Sequence, residues 1–348
     1  MAGFKEHLGY FLSNQELNNK EIAERKIILE SKPLTLGIIV NDWCNLNCIM
    51  CPESRHKNQY ALSESALRKI EELLPYLEKI DWQGGEFLNL DYVKKMFLSL
   101  QNYPQIRHAI TTNGLLLDKE WIELLFNLNT AVTFSIDSPH QGTYEYIRQG
   151  ADYNKLIESL NLIINLEQKS KKRLERYLAV VVMKSNYLQL TDFVEFAEKY
   201  KFSAVFFTPV KNLNTEENIF KPVNQDIQRY LDETMCLLKA RFTERNIELK
   251  WNLPVACDKS GKGQAGAIKN NRDLLCDLPW RGMFICGERN GDIIPDCWCV
   301  QPIGNIFHHT LLEVWNNVKM QEYRRKIASN DMELCNGCYA QGQFIRWY

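Results

Sequence analysis

The chain has 348 residues, enough for one large or two ordinary domains with a sizeable core. Its 42 Lys and Arg stand against 43 Asp and Glu, so no surplus of charge draws it to nucleic acid or to an anionic membrane. The sequence lacks an apolar run of about 18 residues, and its start is polar rather than shaped like a signal peptide, so a cytoplasmic location is expected. Structural disulfides are rare in that compartment, and eleven cysteines therefore point to metal or redox chemistry.

In chain order, residues 1–34 read as a helical extension. From 35 to 222 short apolar runs alternate with amphipathic stretches, which predicts βα units around a parallel sheet or barrel. Six strands are expected, at 36–41, 79–83, 106–111, 130–136, 176–183 and 203–208. Ala66, Leu67, Ile70, Leu73, Leu74 and Leu77 carry the helical spacing between the first two. A bridge at 223–275 opens with a helical stretch to about 246 and continues as a polar, glycine-containing segment. The last part, 276–348, holds six of the cysteines, an Asn290-Gly291 turn that predicts a hairpin, and a helix around 311–328.

Cys44, Cys48 and Cys51 follow the first expected strand with C-x3-C-x2-C spacing. Thiolates so close suit one face of a [4Fe–4S] cubane, with one iron left open. A zinc or structural site is the alternative, and zinc would want a fourth Cys or His nearby. Gly84-Gly85-Glu86 follows the second strand, where paired glycines let the backbone approach a ligand and a carboxylate can accept from an ammonium group. Thr111-Thr112-Asn113-Gly114 and Ser135-Ile136-Asp137-Ser138 end the third and fourth strands, placing Asn113, Ser135 and Asp137 at the barrel mouth. Arg148 closes a helix and can clamp a carboxylate.

Together these motifs resemble the radical S-adenosylmethionine (SAM) superfamily. The resemblance implies a partial (β/α)6 barrel whose open iron binds the amino and carboxyl groups of SAM. Reductive cleavage would then give a 5′-deoxyadenosyl radical that abstracts a hydrogen atom. It places Gly84, Gly85 and Glu86 along the amino end of SAM, and Ser135 with Arg148 at its carboxylate. Met50 stands where the family often has an aromatic residue near the adenine, and Phe87 where it often has proline.

Cys276, the hairpin, Cys297 and the Cys335/Cys338 pair resemble the SPASM/twitch class of C-terminal domains, which binds an auxiliary [4Fe–4S] cluster. With no further cysteine after the pair, the shorter twitch type with one auxiliary cluster is expected, held by Cys276, Cys297, Cys335 and Cys338. Cys299, two residues from Cys297 and so on the same side of a strand, is the runner-up, and Cys286 could compete. A zinc ribbon made from the same cysteines is the alternative. Cys236 reads as a buried apolar residue, and Cys257 as either structural or a hydrogen donor facing the substrate.

The resemblance implies a radical SAM oxidoreductase that passes an electron to the auxiliary cluster and is reduced by an external donor such as flavodoxin or ferredoxin. A small polyol, sugar or aminocyclitol substrate is favoured over a peptide, because peptide maturases often carry a leader-binding domain larger than 34 residues. Dehydrogenation, epimerisation and peptide maturation stay open. A metal-binding or electron-transfer protein without catalysis is the reading of another class; Gly84-Gly85-Glu86 and Arg148 speak against it.

Overall fold

Leu36 and Ile38 are buried almost completely on one side of a short strand whose small Gly37 lies on the other, and this strand is the hub of the first half of the structure. The computed structural model describes residues 2–51, 60–210, 216–222, 224–253, 276–297, 299–331 and 334. Its strands are β1 Thr35–Ile39, β2 Lys79–Gln83, β3 Arg107–Thr112, β4 Asn129–Ser135, β5 Glu175–Val182, β6 Ala204–Pro209, β7 Glu248–Trp251, β8 Gly282–Cys286, β9 Asp292–Ile294 and β10 Gly304–Asn305. Two units divide the chain: residues 1–43, 58–109 and 267–348 form one, and 44–57 with 110–266 the other. β3 runs from the first into the second.

In the first unit the strand order is β10-β9-β8-β1-β2-β3. β1 pairs in parallel with β2 on one side and with β8 on the other. The hairpin expected at Asn290-Gly291 is present as β8 and β9, and both turn residues have positive φ, 53° and 80°. The sequence does not disclose that β8 also joins β1: hairpin signals are local, whereas this pairing spans more than 240 residues of chain.

The helix Ala2–Ala23 is shorter than the expected 1–34 extension. Arg25 takes φ 52° just beyond it, and the following segment is held instead by side chains. Buried Glu21 accepts from Ser31 N and Oγ, Asn18 donates to the Trp280 carbonyl, and Trp315 Nε1 donates to Ser31 O. Arg324, fully buried, donates to the carbonyls of Ile27, Pro279 and Trp315 and to Asn316 Oδ1 at 2.8–3.0 Å. The expected helix at 311–328 is two, Leu311–Trp315 and Val318–Ala328, because Asn317 caps the second through Met320 N.

Trp82, Phe87, Phe97 and His108 pack as a buried aromatic cluster, with Trp82 and Phe97 centroids 4.8 Å apart. Trp82 Nε1 donates to His108 Nδ1 at 3.2 Å, which makes that nitrogen the acceptor of a neutral ring. Burial pulls the His108 imidazole down to about 4. An unfolded histidine takes up its proton near 6.5, so as pH falls from there toward 4 only the unfolded state gains the proton and stability drops, by roughly 3 kcal/mol. His108→Gln keeps an acceptor for Trp82 and is expected to flatten that dependence. Urea unfolding at about pH 7 and about pH 4.5 checks it, and equal losses in both proteins would refute the assignment.

In the second unit the order is β3-β4-β5-β6-β7, and β4 through β7 are parallel. On β5, Arg176, Leu178, Val180 and Val182 are buried while Tyr177, Ala179 and Val181 are half-buried, so one face is covered more fully than the other. The six expected strands are found within two residues. The bridge adds a seventh βα step, since the helix Gln225–Glu244 leads into β7 alongside β6. Only four residues long and alternating charged with apolar, β7 carries little strand signal. Along this helix Leu231, Thr234, Leu238 and Phe242 point inward. Cys236 is exposed, contrary to expectation, because it lies off that stripe.

Candidate radical SAM site

Two backbone hydrogen bonds tie the cysteine loop to the end of the helix Gln141–Ile147: Asn47 N donates to Gln149 O and Ile49 N to Ile147 O, at 2.8 and 2.9 Å. A tight turn, Cys51 N to Cys48 O at 3.2 Å, brings the last two cysteines close in the fold. Leu46 N donates to Cys44 Sγ at 3.4 Å. Asn113, just past β3, donates from Nδ2 to Asn45 Oδ1 at 2.8 Å and lies 3.9 Å from Cys44 Sγ.

Arg148 follows that helix and is 6% exposed. Its Nη2 lies 2.8 Å from Asp137 Oδ2, and its Nη1 donates to Cys48 Sγ at 3.8 Å. Asp137 is fully buried rather than presented at the mouth, and its other oxygen accepts from Val181 N at 2.8 Å. Burial works against the charge on Arg148, but Asp137 and the Cys48 sulfur outweigh it and hold the guanidinium above its ordinary range. Burial also pushes the Cys48 thiol up, and Arg148 pulls it back toward thiolate. Ser135 ends β4 half-buried, opposite Ala179. Met50 packs with Ile147, Met183 and Val210.

In the first unit, Gly84-Gly85-Glu86 lies against Asn41–Trp43, the residues that precede Cys44 in the chain. Gly85 N donates to Asn41 O and Glu86 N to Trp43 O, at 2.8 and 2.9 Å. Glu86 is 1% exposed, and the next residue, Phe87, anchors the segment in the aromatic cluster. A Cβ on Gly85 would stand 2.1 Å from Trp43 O and 2.8 Å from Asp42 O, backbone atoms that cannot turn aside. Gly85→Ala is therefore expected to displace the segment, costing about 1–3 kcal/mol of stability and weakening SAM binding. Calorimetric titration with SAM at matched iron content checks this. Asn41, whose Nδ2 donates to Trp43 O at 2.9 Å, went unnoticed in the sequence, where a single Asn after a strand reads as a turn.

The sulfur-directed donors fit a thiolate-bound cluster. Three cysteines stand on one loop, and backbone, amide and guanidinium N–H groups approach the sulfurs of Cys44 and Cys48, as cluster sulfurs require. Among the described residues, no three Cys, His, Asp or Glu side chains converge as ligands of a single metal ion. A cubane needs no such convergence, since each thiolate takes its own iron. In the C-terminal part Cys286, 1% exposed, packs with Phe284 and Ile294, and Cys299 lies against that apolar cluster. Cys297 is exposed beside Asp296 and Cys276 is half-buried. β9 ends at Ile294, so Cys297 and Cys299 sit in a turn and not on a common strand face; Cys299 N donates to Asp296 O. Cys257, Cys335 and Cys338 lie outside the described residues.

Known proteins resemble this chain along most of its length. The family model for the radical SAM superfamily matches residues 38–197, and that for the SPASM iron-sulfur cluster-binding domain matches 276–339. GTP 3′,8-cyclase of Syntrophomonas wolfei subsp. wolfei (strain DSM 2245B / Goettingen) is 30% identical over 250 residues, 69% of this chain and 74% of that protein. GTP 3′,8-cyclase of Clostridium botulinum (strain Okra / Type B1) is 28% identical over 252 residues, 69% of this chain and 71% of that protein. Among solved structures, Streptococcus suis SuiB bound to S-adenosylmethionine matches with a TM-score of 0.63 at 19% identity, covering 89% of this chain and 71% of that one. Native anSMEcpe with bound AdoMet matches at 0.59 and 18%, covering 84% and 82%; both show the shared fold.

The chain belongs to the radical SAM superfamily and carries a C-terminal SPASM domain. It is a radical SAM enzyme with an open α/β barrel, and its cofactors are SAM, the SAM-binding [4Fe–4S] cluster and auxiliary iron–sulfur. Among the described residues no helix is long and apolar enough to cross a membrane.

Proposed function

We propose that this enzyme removes a hydrogen atom from an unactivated C–H of a small hydroxylated molecule, a polyol, sugar or aminocyclitol, and completes a dehydrogenation or epimerisation. The observation that carries the radical step is the set of N–H donors directed at Cys44 and Cys48. Cys44, Cys48 and Cys51 would hold a [4Fe–4S] cluster that, with SAM bound, would supply the 5′-deoxyadenosyl radical on reduction. Asn113 and Leu46 N steady Cys44, Arg148 steadies Cys48, and the glycine pair keeps Glu86 against the residues before Cys44. Glu86 is the partner for the SAM amino group, and Ser135 stands at the carboxylate end. Gly84, Gly85, Asn113, Arg148 and Met50 complete the surroundings of SAM, and Asp137 acts behind Arg148 by holding its guanidinium. For a dehydrogenation the auxiliary centre would accept the electron left on the substrate radical as the substrate releases a proton, whereas an epimerisation would need a hydrogen-atom donor and no acceptor. An external flavodoxin or ferredoxin would supply the electron for SAM cleavage.

A small substrate is supported by the curated relatives, which by name act on GTP and are 28–30% identical to this chain. The neighbours solved with peptides, SuiB with precursor peptide SuiA and anSMEcpe with Cp18Cys peptide, stand at 20% and 17%. The same relatives favour a second reading, a cyclisation of a purine nucleotide.

The test is to give the reconstituted enzyme SAM, a chemical reductant and, separately, deuterated polyols and aminocyclitols, GTP, and peptides. Deuterium transfer into 5′-deoxyadenosine from a polyol or aminocyclitol is expected. Transfer from GTP would establish the second reading, and transfer from peptides alone would overturn both.

A further inference from the structure

We propose that Arg148, locked in place by Asp137, sets the reduction potential of the cluster on Cys44, Cys48 and Cys51 through its hydrogen bond to the Cys48 sulfur. This rests on the reading that these three cysteines hold that cluster. A helix-terminal arginine ordinarily reaches into water, but this one is 6% exposed, and its two terminal nitrogens serve different partners. Nη2 meets Asp137 Oδ2 at 2.8 Å, while Nη1 reaches the Cys48 sulfur at 3.8 Å, and Cys48 is itself 7% exposed. A guanidinium suits such double duty because its donors are fixed in a planar fork, which the single point charge of lysine is not.

The footing of the pair is rigid. Asp137 Oδ1 accepts from Val181 N at 2.8 Å, and the Asp137 carbonyl accepts from Asn186 Nδ2 at 2.7 Å, with Asn186 fully buried. On the other side, Ile49 N is bonded to Ile147 O, so the residue after Cys48 is tied to the residue before Arg148. Neither the cysteine nor the arginine can drift without breaking these bonds. If the only role of Arg148 were to neutralise Asp137, its fork could lie along the carboxylate and no donor would need to reach the sulfur.

Reduction adds one negative charge to a cluster and its thiolates. A positive donor at a ligand sulfur, in a place that water does not screen, favours the reduced state and raises the potential. Asp137 opposes this from the far side of the guanidinium. The two charges must therefore push the potential in opposite directions, which no purely structural role would do.

The experiment is an EPR-monitored redox titration of the full-length reconstituted enzyme without SAM, comparing wild type, Arg148→Gln and Asp137→Asn at matched iron content. The relevant signal is the one absent when Cys44, Cys48 and Cys51 are all alanine. Arg148→Gln is expected to lower the midpoint by at least a tenfold change in the one-electron equilibrium, about 59 mV. Asp137→Asn is expected to raise it. Unchanged midpoints in variants that keep their iron, or shifts of the same sign in both, would overturn the proposal. Should Arg148→Gln not fold, Asp137→Asn decides by the sign of its shift. Absence of iron from the wild-type cysteine loop would instead overturn the reading on which the proposal rests.

Discussion

Replacing Cys44, Cys48 and Cys51 together by alanine is expected to remove about four irons per chain, one cubane's worth, and to abolish formation of 5′-deoxyadenosine from SAM. The effect should be all or none, because these cysteines are the only ones in the N-terminal two thirds of the chain. The fold should survive. Cys44 and Cys51 are only partly buried, and the loop is anchored by the Asn47–Gln149 and Ile49–Ile147 backbone bonds, which do not involve the thiols. Cys48 is buried, and removal of one sulfur costs about 1–2 kcal/mol, within the reserve of a domain this size. Far-UV circular dichroism and iron analysis separate loss of cluster from loss of fold. Continued reductive cleavage of SAM by a folded triple variant would sink the assignment.

Much of this site was legible because it is written locally. The cysteine spacing, the glycine pair and the strand-end polar residues are each contiguous in sequence, and each follows an apolar run that becomes a strand. What escaped depends on distance. An arginine at a helix end gives no hint in sequence that it is buried; only the fold shows that Asp137, eleven residues earlier, waits inside to meet it. β8 was readable as half of a hairpin but not as the parallel neighbour of β1, since no local pattern encodes a partner hundreds of residues away. Cys299 likewise reads as the runner-up to Cys297 on the assumption of a continuing strand that gives both one face. The strand ends at Ile294, and the turn that follows leaves Cys297 exposed beside Asp296 while Cys299, its near neighbour, packs against Phe284, Cys286 and Ile294.

That last difference gives the auxiliary centre a sharper test than the cysteine inventory alone. Cys276, Cys297, Cys335 and Cys338 are proposed to hold a second [4Fe–4S] cluster, so reconstituted wild type should contain about eight irons and the Cys44/Cys48/Cys51 variant about four. Cys297 is exposed as a residue and its thiol donates to Asp296 Oδ1 near Cys299, whereas Cys299 packs against Phe284, Cys286 and Ile294. In the background of the triple variant, Cys297→Ala should therefore lose the remaining iron. Cys299→Ala should keep it and cost only the packing of one sulfur against an apolar cluster, about 1 kcal/mol. Cys335→Ala with Cys338→Ala should behave as Cys297→Ala does. In an otherwise intact enzyme that pair of substitutions should leave 5′-deoxyadenosine formation possible while a dehydrogenation stops before product, because the electron left once the substrate radical loses its proton would have no acceptor. Zinc in place of iron in the triple variant, seen by elemental analysis and by the absence of a Mössbauer signal, would make the centre structural and remove its part in electron transfer. Loss of iron from Cys299→Ala with retention in Cys297→Ala would exchange the roles of the two cysteines.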